Sequence, residues 1–474
     1  MYLIMKISEA GVKFGTSGVR GLVSELTDEV AYAFATAFWQ AAGQGARVVI
    51  GHDLRPSSPQ ITRACMAAMK DLGVEVLYVG ALATPAVAYY ASRMQAPAIV
   101  VTGSHIPFDR NGIKFYSIDG EINKVHEESI SSAEVTLPET IECPELPEID
   151  AGAQSAYLSR YLDCFGQNLC SGLKVAIYQH SSVARDLLAE LFQTMGAEVV
   201  ALGRTEQFVP IDTEAVRAED IDQAKRWASE IGFDLLVSTD GDADRPLIAD
   251  ETGTFFRGDI LGVLTAKAVG ADAVVTPVSS NTALELSGWF NQTIRTRIGS
   301  PYVIAGMDSV EAGVVAGFEA NGGFLLGSDV ALNGSTLSTL ATRDAVLPML
   351  AVIYLSKQNQ IKASQLSAEL PERYTASDRI PGIATEWSQS MLQRLNKGQL
   401  QFEALMPRSL GAIRSVDQTD GYRVDFETNT IVHLRPSGNA PELRCYVEMN
   451  CEHEASELCH SVLNKVEQLF KSEA

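Results

Sequence analysis

From Asp240 to Arg245 the chain reads Asp-Gly-Asp-Ala-Asp-Arg, three carboxylates separated by the two smallest side chains and closed by an arginine. The run before it, Phe233 to Val237, is mostly apolar and reads as a buried strand. In an extended segment, alternation points all three carboxylates the same way, so their oxygens converge on one hard divalent cation. Three protein oxygens leave coordination positions open, which is what Mg²⁺ needs to engage a phosphate. In isolation such a run fits an acidic turn solvated at a strand end equally well. Partners elsewhere in the chain favour a site.

The first partner is Val101-Thr102-Gly103-Ser104-His105-Ile106-Pro107, at the end of an apolar run. A serine in a glycine-containing turn at a strand's carboxyl end sits where open α/β sheets bind ligands, and its hydroxyl can carry a covalent group. His105 is placed to polarise or position that group. In Asn111-Gly-Ile-Lys114-Phe, Lys114 lies in a strand-like run; partial burial there would lower its pKa and suit it to proton transfer, and a solvated strand lysine is the rival reading. The second partner is Arg435-Pro-Ser437-Gly438-Asn439-Ala-Pro-Glu-Leu-Arg444. A Ser-Gly-Asn turn with exposed N–H groups makes an anion-binding concavity, and the flanking arginines supply forked donors for phosphate oxygens. Arg20, in Phe14-Gly-Thr-Ser-Gly-Val-Arg20-Gly, is a further cation in a glycine-rich turn. In Gly317-Phe-Glu319-Ala-Asn321-Gly-Gly, Glu319 and Asn321 are two apart and can grip neighbouring hydroxyls, as in polyol recognition, although such turns are common. Cys451, His453, Cys459 and His460 resemble a metal cluster, but they lie on an amphipathic helix where they do not share one face.

These loops need scaffolds. Ala46 to Gly51, Val74 to Val79 and Ala98 to Val101 read as strands, with a helix from Pro59 to Leu72. The order returns with strand Leu173 to Tyr178, helix Ser182 to Met195, and strands Ala197 to Leu202 and Asp234 to Ser238. A third round has helix Asp259 to Val269, strand Ala273 to Pro277, helix Thr282 to Phe290 and strand Thr293 to Thr296, closed by a helix from Arg343 to Ser356. Helices between short β-branched runs imply βαβ units and a mainly parallel sheet in each round. The proline- and acid-rich segment from Leu137 to Gln154 reads as a linker. Strands Tyr422 to Phe426, Thr430 to Leu434 and Leu443 to Met449, then a helix from His453 to Phe470, make a small α+β domain. The expected divisions are 1–150, 151–253, 254–368 and 369–474.

Thirty-seven basic against fifty-nine acidic side chains give a net charge of −22, which repels nucleic acid and anionic membranes at long range. A chain that handles phosphate despite this charge must gather its cations locally. The longest apolar runs are of strand length, the N-terminus lacks a signal peptide's charged start and cleavage site, and seven cysteines show no framework spacing. The expectation is a cytoplasmic protein with no membrane and no nucleic-acid partner, monomeric or homodimeric.

Taken together, FGTSGVRG, TGSHIP, DGDADR, FEANGG and RPSGNAPELR resemble, in order and spacing over essentially the whole chain, the loops of the α-D-phosphohexomutase superfamily. The resemblance implies three related α/β domains, with mixed sheets, and a C-terminal α+β domain around a central cleft. It implies a phosphate on Ser104 and Mg²⁺ held by Asp240, Asp242, Asp244 and a phosphoryl oxygen of that serine. Arg245 would offset charge at the transferring group, Lys114 would be the general acid/base, and His105 and Arg20 would assist. Glu319 and Asn321 would read the sugar hydroxyls; Arg435, Ser437, Gly438, Asn439 and Arg444 would hold the non-reacting phosphate. The chain departs from the family pattern at Ile106, usually asparagine, at Asn439, usually threonine, at Asn321, usually serine, and at Gly323, histidine in many members. None of these removes the nucleophile, the metal ligands or the arginines. The form of the loops points to mannose phosphate as substrate, passing through a hexose 1,6-bisphosphate that also serves as activator. Glucose or glucosamine phosphate mutation is the alternative, and a metal-dependent sugar phosphatase or an inactive sugar-phosphate-binding relative is more remote.

Overall fold

A computed structural model describes residues 3–15, 18–311, 313–406, 410–437 and 441–473. Three α/β domains repeat one sheet plan. In each, two strands join a central one in parallel through helical crossovers, as βαβ connections require; the first domain's sheet also takes in the earlier strands Lys13–Phe14 and Val19–Leu22. The central strands are Arg47–His52, Lys174–Tyr178 and Ala273–Pro277. On one side they pair with Glu75–Ala81, Glu198–Leu202 and Gln292–Thr296. On the other they pair with Ala98–Val101, Leu235–Thr239 and Val315–Phe318. The chain then reverses, and an antiparallel strand returns alongside: Arg110–Ser117, Pro246–Ala249 and Phe324–Leu326. The reversal therefore lies at the carboxyl end of the third parallel strand in all three domains. The Ser104 loop, the Asp240–Arg245 loop and the Glu319–Asn321 loop are those three reversals.

The architecture is the expected one, three α/β domains followed by an α+β domain. The last is a five-stranded antiparallel sheet ordered Tyr374–Pro381, Glu442–Met449, Ile431–Pro436, Tyr422–Phe426 and Ile413–Asp417, covered by the helices Thr385–Asn396 and Glu452–Glu473. It has its own apolar core around Val424, Leu443, Val447 and Val462, whereas one continuous core runs through the first three domains. Its junction with the third domain is polar. Arg373 Nε donates to Glu448 Oε1 at 2.6 Å, Thr282 N and Oγ1 donate to the same carboxylate, and Ile298 N donates to Asp420 Oδ2 at 2.9 Å.

Some elements differ from the sequence expectation. The helix expected over 282–290 is only Ala283–Leu286, because the Ser287 hydroxyl takes the Trp289 N–H at 3.2 Å and opens a turn. The helix expected from Arg343 begins at Val346. Asp344 Oδ1 takes the Val346 N–H at 3.0 Å, which leaves Arg343 inside the strand Leu340–Asp344. Residues 138–150 do lack helix and strand, but they are strapped to the first domain: Arg63 Nε donates to Pro144 O at 2.7 Å and Tyr90 Oη to Asp150 Oδ2 at 2.7 Å. Among the described residues no helix is long and apolar enough to cross a membrane.

Asp344 also ties the second domain to the third, since its carboxylate accepts from Tyr157 Oη at 2.5 Å and from Tyr161 Oη, all three side chains being buried. Asp344→Ala strands two buried hydroxyls and is expected to cost about 3 kcal/mol of unfolding free energy in urea titration. Burial holds the rings of His180 and His433 down at about 4, so both are neutral in the fold at pH 7. The unfolded chain protonates histidines near pH 6.5, so it takes up protons that the native state refuses. This stability is complete above pH 6.5 and falls as pH drops towards 4, by up to about 3 kcal/mol per ring at about 1.4 kcal/mol per pKa unit. Urea titrations at pH 7 and 4.5 measure it, and His433→Gln should shrink the difference.

Candidate active site

Ser104 stands at φ +52°, a backbone region that side chains other than glycine seldom adopt. A buried scaffold holds it there. Thr102 Oγ1 accepts from Ser104 N at 2.8 Å and donates to Asp53 Oδ2 at 2.8 Å. Arg55, fully buried against Asp53, donates Nη2 to Ser104 O at 3.0 Å and Ile106 O at 2.5 Å, and Nη1 to Pro107 O and Arg110 O at 2.8 Å each. One guanidinium thus fixes four carbonyls of the loop, and its face lies 3.9 Å over the Phe208 ring of the second domain. The loop is held through its backbone, so Ile106 does not undo it.

Ser104 Oγ donates to Asp240 Oδ2 at 2.5 Å and lies 3.2 Å from His105 Nδ1. Asp240, Asp242 and Asp244 are all buried, each offering an oxygen within 4.8 Å of the others. Among the described residues they are the one group of three or more such side chains so arranged. They converge differently from the sequence expectation. Residues 240–245 form a turn and not an extended run, with Ala243 at φ +61°. Gly241 is required by a close approach: a Cβ there would stand 2.6 Å from Ser104 O. Thr84 clasps the turn from the first domain, its N–H on Asp242 O at 2.9 Å and its hydroxyl on Asp242 Oδ2 at 2.6 Å.

The donor set suits a divalent cation. Asp242 Oδ1 and Asp244 Oδ1 are buried oxygens with no hydrogen-bond partner, an arrangement that costs free energy unless a cation satisfies them. Burial, then the neighbouring carboxylates of Asp242 and Asp244, push the Asp240 carboxyl well above its usual range. Burial would raise Asp244 too, but Arg343, Lys114 and Arg245 hold it well below the usual range.

Lys114 Nζ donates to Asp242 Oδ2 and Asp244 Oδ2, each at 2.6 Å. The sequence expectation of a lowered lysine pKa is corrected here. Burial alone would lower it, but two carboxylates in direct contact raise it above the ordinary lysine value. His105 is pushed well below the usual histidine value by burial, then by Arg245 and Arg20, so it is a neutral imidazole beside Ser104. Arg20 is lowered to about 10 by burial and the neighbouring Arg245 and Arg343, and remains charged at pH 7. Arg245 N donates to Asp240 Oδ1 at 3.2 Å, and its Nε lies 3.7 Å from Asp244 Oδ1.

A cleft of about 850 Å³ opens beside this cluster, between the first, second and fourth domains; Arg20, His105, Ile106, Glu214, Arg379 and Arg444 are among its lining. Arg444 is oriented by Glu442, Nε to Oε1 at 2.9 Å. Its neighbours across the sheet are Arg379 and Arg435, so three arginines stand in a row on adjacent strands. Of the four arginines expected to gather at the cleft, Arg20 and Arg444 line the cavity, whereas Arg245, set in the acidic turn, and Arg435 do not. Arg435 Nε donates to Asp420 Oδ2 at 2.8 Å, and the residue is not part of the cavity wall. Ser437 is buried, its N–H on Glu442 O at 2.9 Å, while Gly438 and Asn439 lie outside the described residues. Glu319 and Asn321 are buried in the third reversal. Glu319 Oε2 accepts from Arg343 Nη1 at 2.6 Å, and Asn321 Oδ1 accepts from Gly323 N at 3.0 Å. The decoy stays apart, with Cys459 buried under Cys445 O and His453 facing Glu457 on the surface.

Sequence reasoning missed Asp53, Arg55, Thr84, Arg343 and Arg379. Asp53 and Arg55 have a usable signal, since Asp53-Leu-Arg55 directly follows the strand that ends at His52. Arg343 has none, because its stretch reads in sequence as the start of a helix.

Four family descriptions match in succession: phosphoglucomutase/phosphomannomutase alpha/beta/alpha domain I over residues 11–136, domain II over 156–253, domain III over 257–374, and the C-terminal domain over 392–465. The chain is 44% identical to a phosphomannomutase of Salmonella muenchen over 97% of its own length and 96% of the relative's. It is 42% identical to a phosphomannomutase of Sinorhizobium fredii over 92% and 95%. A phosphoglucosamine mutase of Citrifermentans bemidjiense is 32% identical over 75% and 80%. Among solved structures, a phosphoglucomutase/phosphomannomutase family protein from Burkholderia thailandensis superposes with a TM-score of 0.73 at 18% identity, covering 99% and 98% of the two chains. An Aspergillus fumigatus N-acetylphosphoglucosamine mutase, in complex with GlcNAc-6P and magnesium, superposes with a TM-score of 0.57 at 15% identity over 97% and 98%.

A cation that binds only the folded cluster must stabilise the fold. Mg²⁺ at about 100 times its dissociation constant is expected to add about 3 kcal/mol, read as a rise in Tm. Asp242→Asn, which keeps the shape and removes the charge, should abolish most of that rise.

Proposed function

Because the chain belongs to the phosphoglucomutase/phosphomannomutase family and is a phosphohexomutase, we propose that it interconverts mannose 6-phosphate and mannose 1-phosphate through a phosphoserine at Ser104 and a bound hexose 1,6-bisphosphate. The observation that carries the chemistry is the contact of Ser104 Oγ with the acidic turn, a hydroxyl 2.5 Å from one of three buried carboxylates. The higher identity to two phosphomannomutases than to a phosphoglucosamine mutase supports the choice of sugar.

Asp240, Asp242 and Asp244 would hold Mg²⁺ in this reading, and the Oδ1 atoms of Asp242 and Asp244, which have no hydrogen-bond partner, support it. Mg²⁺, when bound, would supply positive charge to the phosphoryl oxygens and would oppose the ammonium of the neighbouring Lys114. Phosphoryl transfer breaks the bond from phosphorus to Ser104 Oγ and makes one to a sugar hydroxyl, while a proton passes in net from that hydroxyl to Oγ. Lys114 donates its proton in this relay and regains one from the hydroxyl; neutral His105 takes part only through a hydrogen bond at Oγ, which adds no charge. Arg245 and Arg20 stabilise the negative charge on the group in flight. Arg444, with Arg379 beside it and Ser437 near, seats the phosphate that does not react. Glu319 and Asn321 take the sugar hydroxyls. The intermediate turns end for end in the cleft and returns its other phosphate to Ser104.

The purified protein is expected to carry an increment of about 80 Da, whole or partial, for one phosphate, absent from Ser104→Ala. A coupled assay with mannose 1-phosphate and catalytic hexose 1,6-bisphosphate should show turnover. Free phosphate released without isomerisation would overturn the mutase reading, and equal turnover of glucosamine phosphate would overturn the choice of sugar.

A further inference from the structure

Arg343 lies outside the five loop motifs, yet it joins two of them. Its side chain is 3% exposed, and its two terminal nitrogens point to different loops. Nη1 donates to Glu319 Oε2 at 2.6 Å, and Nη2 donates to Asp244 Oδ2 at 2.7 Å. A planar guanidinium bonded at both tips fixes distance and angle between its partners, which a lysine cannot do.

Three features keep the guanidinium there. The next residue, Asp344, is locked by Tyr157, Tyr161 and the Val346 N–H, so the backbone at 343 cannot slide. On the other side, Thr342 Oγ1 lies 3.2 Å from Tyr116 Oη, on the strand that carries Lys114. The room for the side chain comes from Gly323: a Cβ there would stand 2.7 Å from Arg343 Cδ and 3.0 Å from Asp244 O. The sugar-facing reversal thus has a bare glycine where the arginine stem passes beneath it.

We propose that Arg343 is a positioning residue for the hexose: it sets the Glu319 carboxylate for the sugar hydroxyls and ties that setting to the metal-binding turn through Asp244. The inference rests on the proposed role of Glu319 as a sugar ligand. A purely structural ion pair would have the same burial. It would differ in consequence, because its loss would weaken the fold without changing sugar affinity in particular.

A double-mutant cycle on the full-length enzyme separates the two. Glu319→Gln, Arg343→Met and the double variant are compared by KM and kcat for mannose 1-phosphate, and by calorimetric binding of mannose 6-phosphate to unphosphorylated protein. Arg343→Met is expected to raise KM and the dissociation constant about tenfold, with a smaller change in kcat, and the double variant to be within about twofold of the worse single. Arg343→Lys, which keeps the charge and loses the fork, should recover part of the affinity; it also serves if the methionine variant fails to fold. Losses that multiply in the double variant, or a drop in Tm with KM unchanged, would overturn the proposal. If Glu319→Gln itself leaves KM and binding unchanged, the sugar-ligand role of Glu319 fails instead.

Discussion

Three carboxylates buried within 4.8 Å of one another cannot all stay ionised in a low-dielectric interior unless positive charge is brought to them. Much of the surrounding structure follows from that constraint. Lys114 reaches Asp242 and Asp244 from the first domain, Arg343 reaches Asp244 from the third, and Arg245 folds back from the turn itself. The acidic turn belongs to the second domain, so its electrostatic balance requires all three α/β domains to be assembled. Asp242 Oδ1 and Asp244 Oδ1 still have no hydrogen bond after these contacts, which is the opening a divalent cation would fill.

The three domains meet this requirement because they share one plan. Each reverses direction after its third parallel strand, and each reversal carries a different chemical part: a hydroxyl, a turn of three carboxylates, and the buried pair Glu319 and Asn321. Ligands gather at the carboxyl ends of strands in open α/β sheets, and here three such ends face one another. The fourth domain contributes in another way, presenting arginines from an antiparallel sheet across the cleft. Its polar junction and separate core suit an element that supplies one wall of the site without being part of the central mass.

A net charge of −22 opposes phosphate binding at long range. The chain offsets this by concentrating arginines and then orienting them with carboxylates, as Glu442 does for Arg444 and Asp420 for Arg435. Such pairs hold a guanidinium's fork in place at the expense of some of its charge. Arg435 gives its Nε to Asp420 and lies off the cavity wall, whereas Arg444, paired with Glu442, lines it.

The strand and helix plan of the three α/β domains, the fourth domain's hairpin, and the serine, acidic and arginine-rich loops were legible in the sequence, because each is written in neighbouring residues. Periodicity marks a strand, and a reversal is marked by glycine, proline and polar residues. What the sequence could not show was anything set by contact across domains. The raised pKa of Lys114 depends on carboxylates 128 and 130 residues away, and the departure of Arg435 on an aspartate fixed by the third domain. Arg343 was hidden for the same reason, since its two partners, Glu319 and Asp244, are 24 and 99 residues distant along the chain. Sequence spacing carries no information about which loops meet; burial does, because a charge taken out of water is stable only where the fold brings its partner.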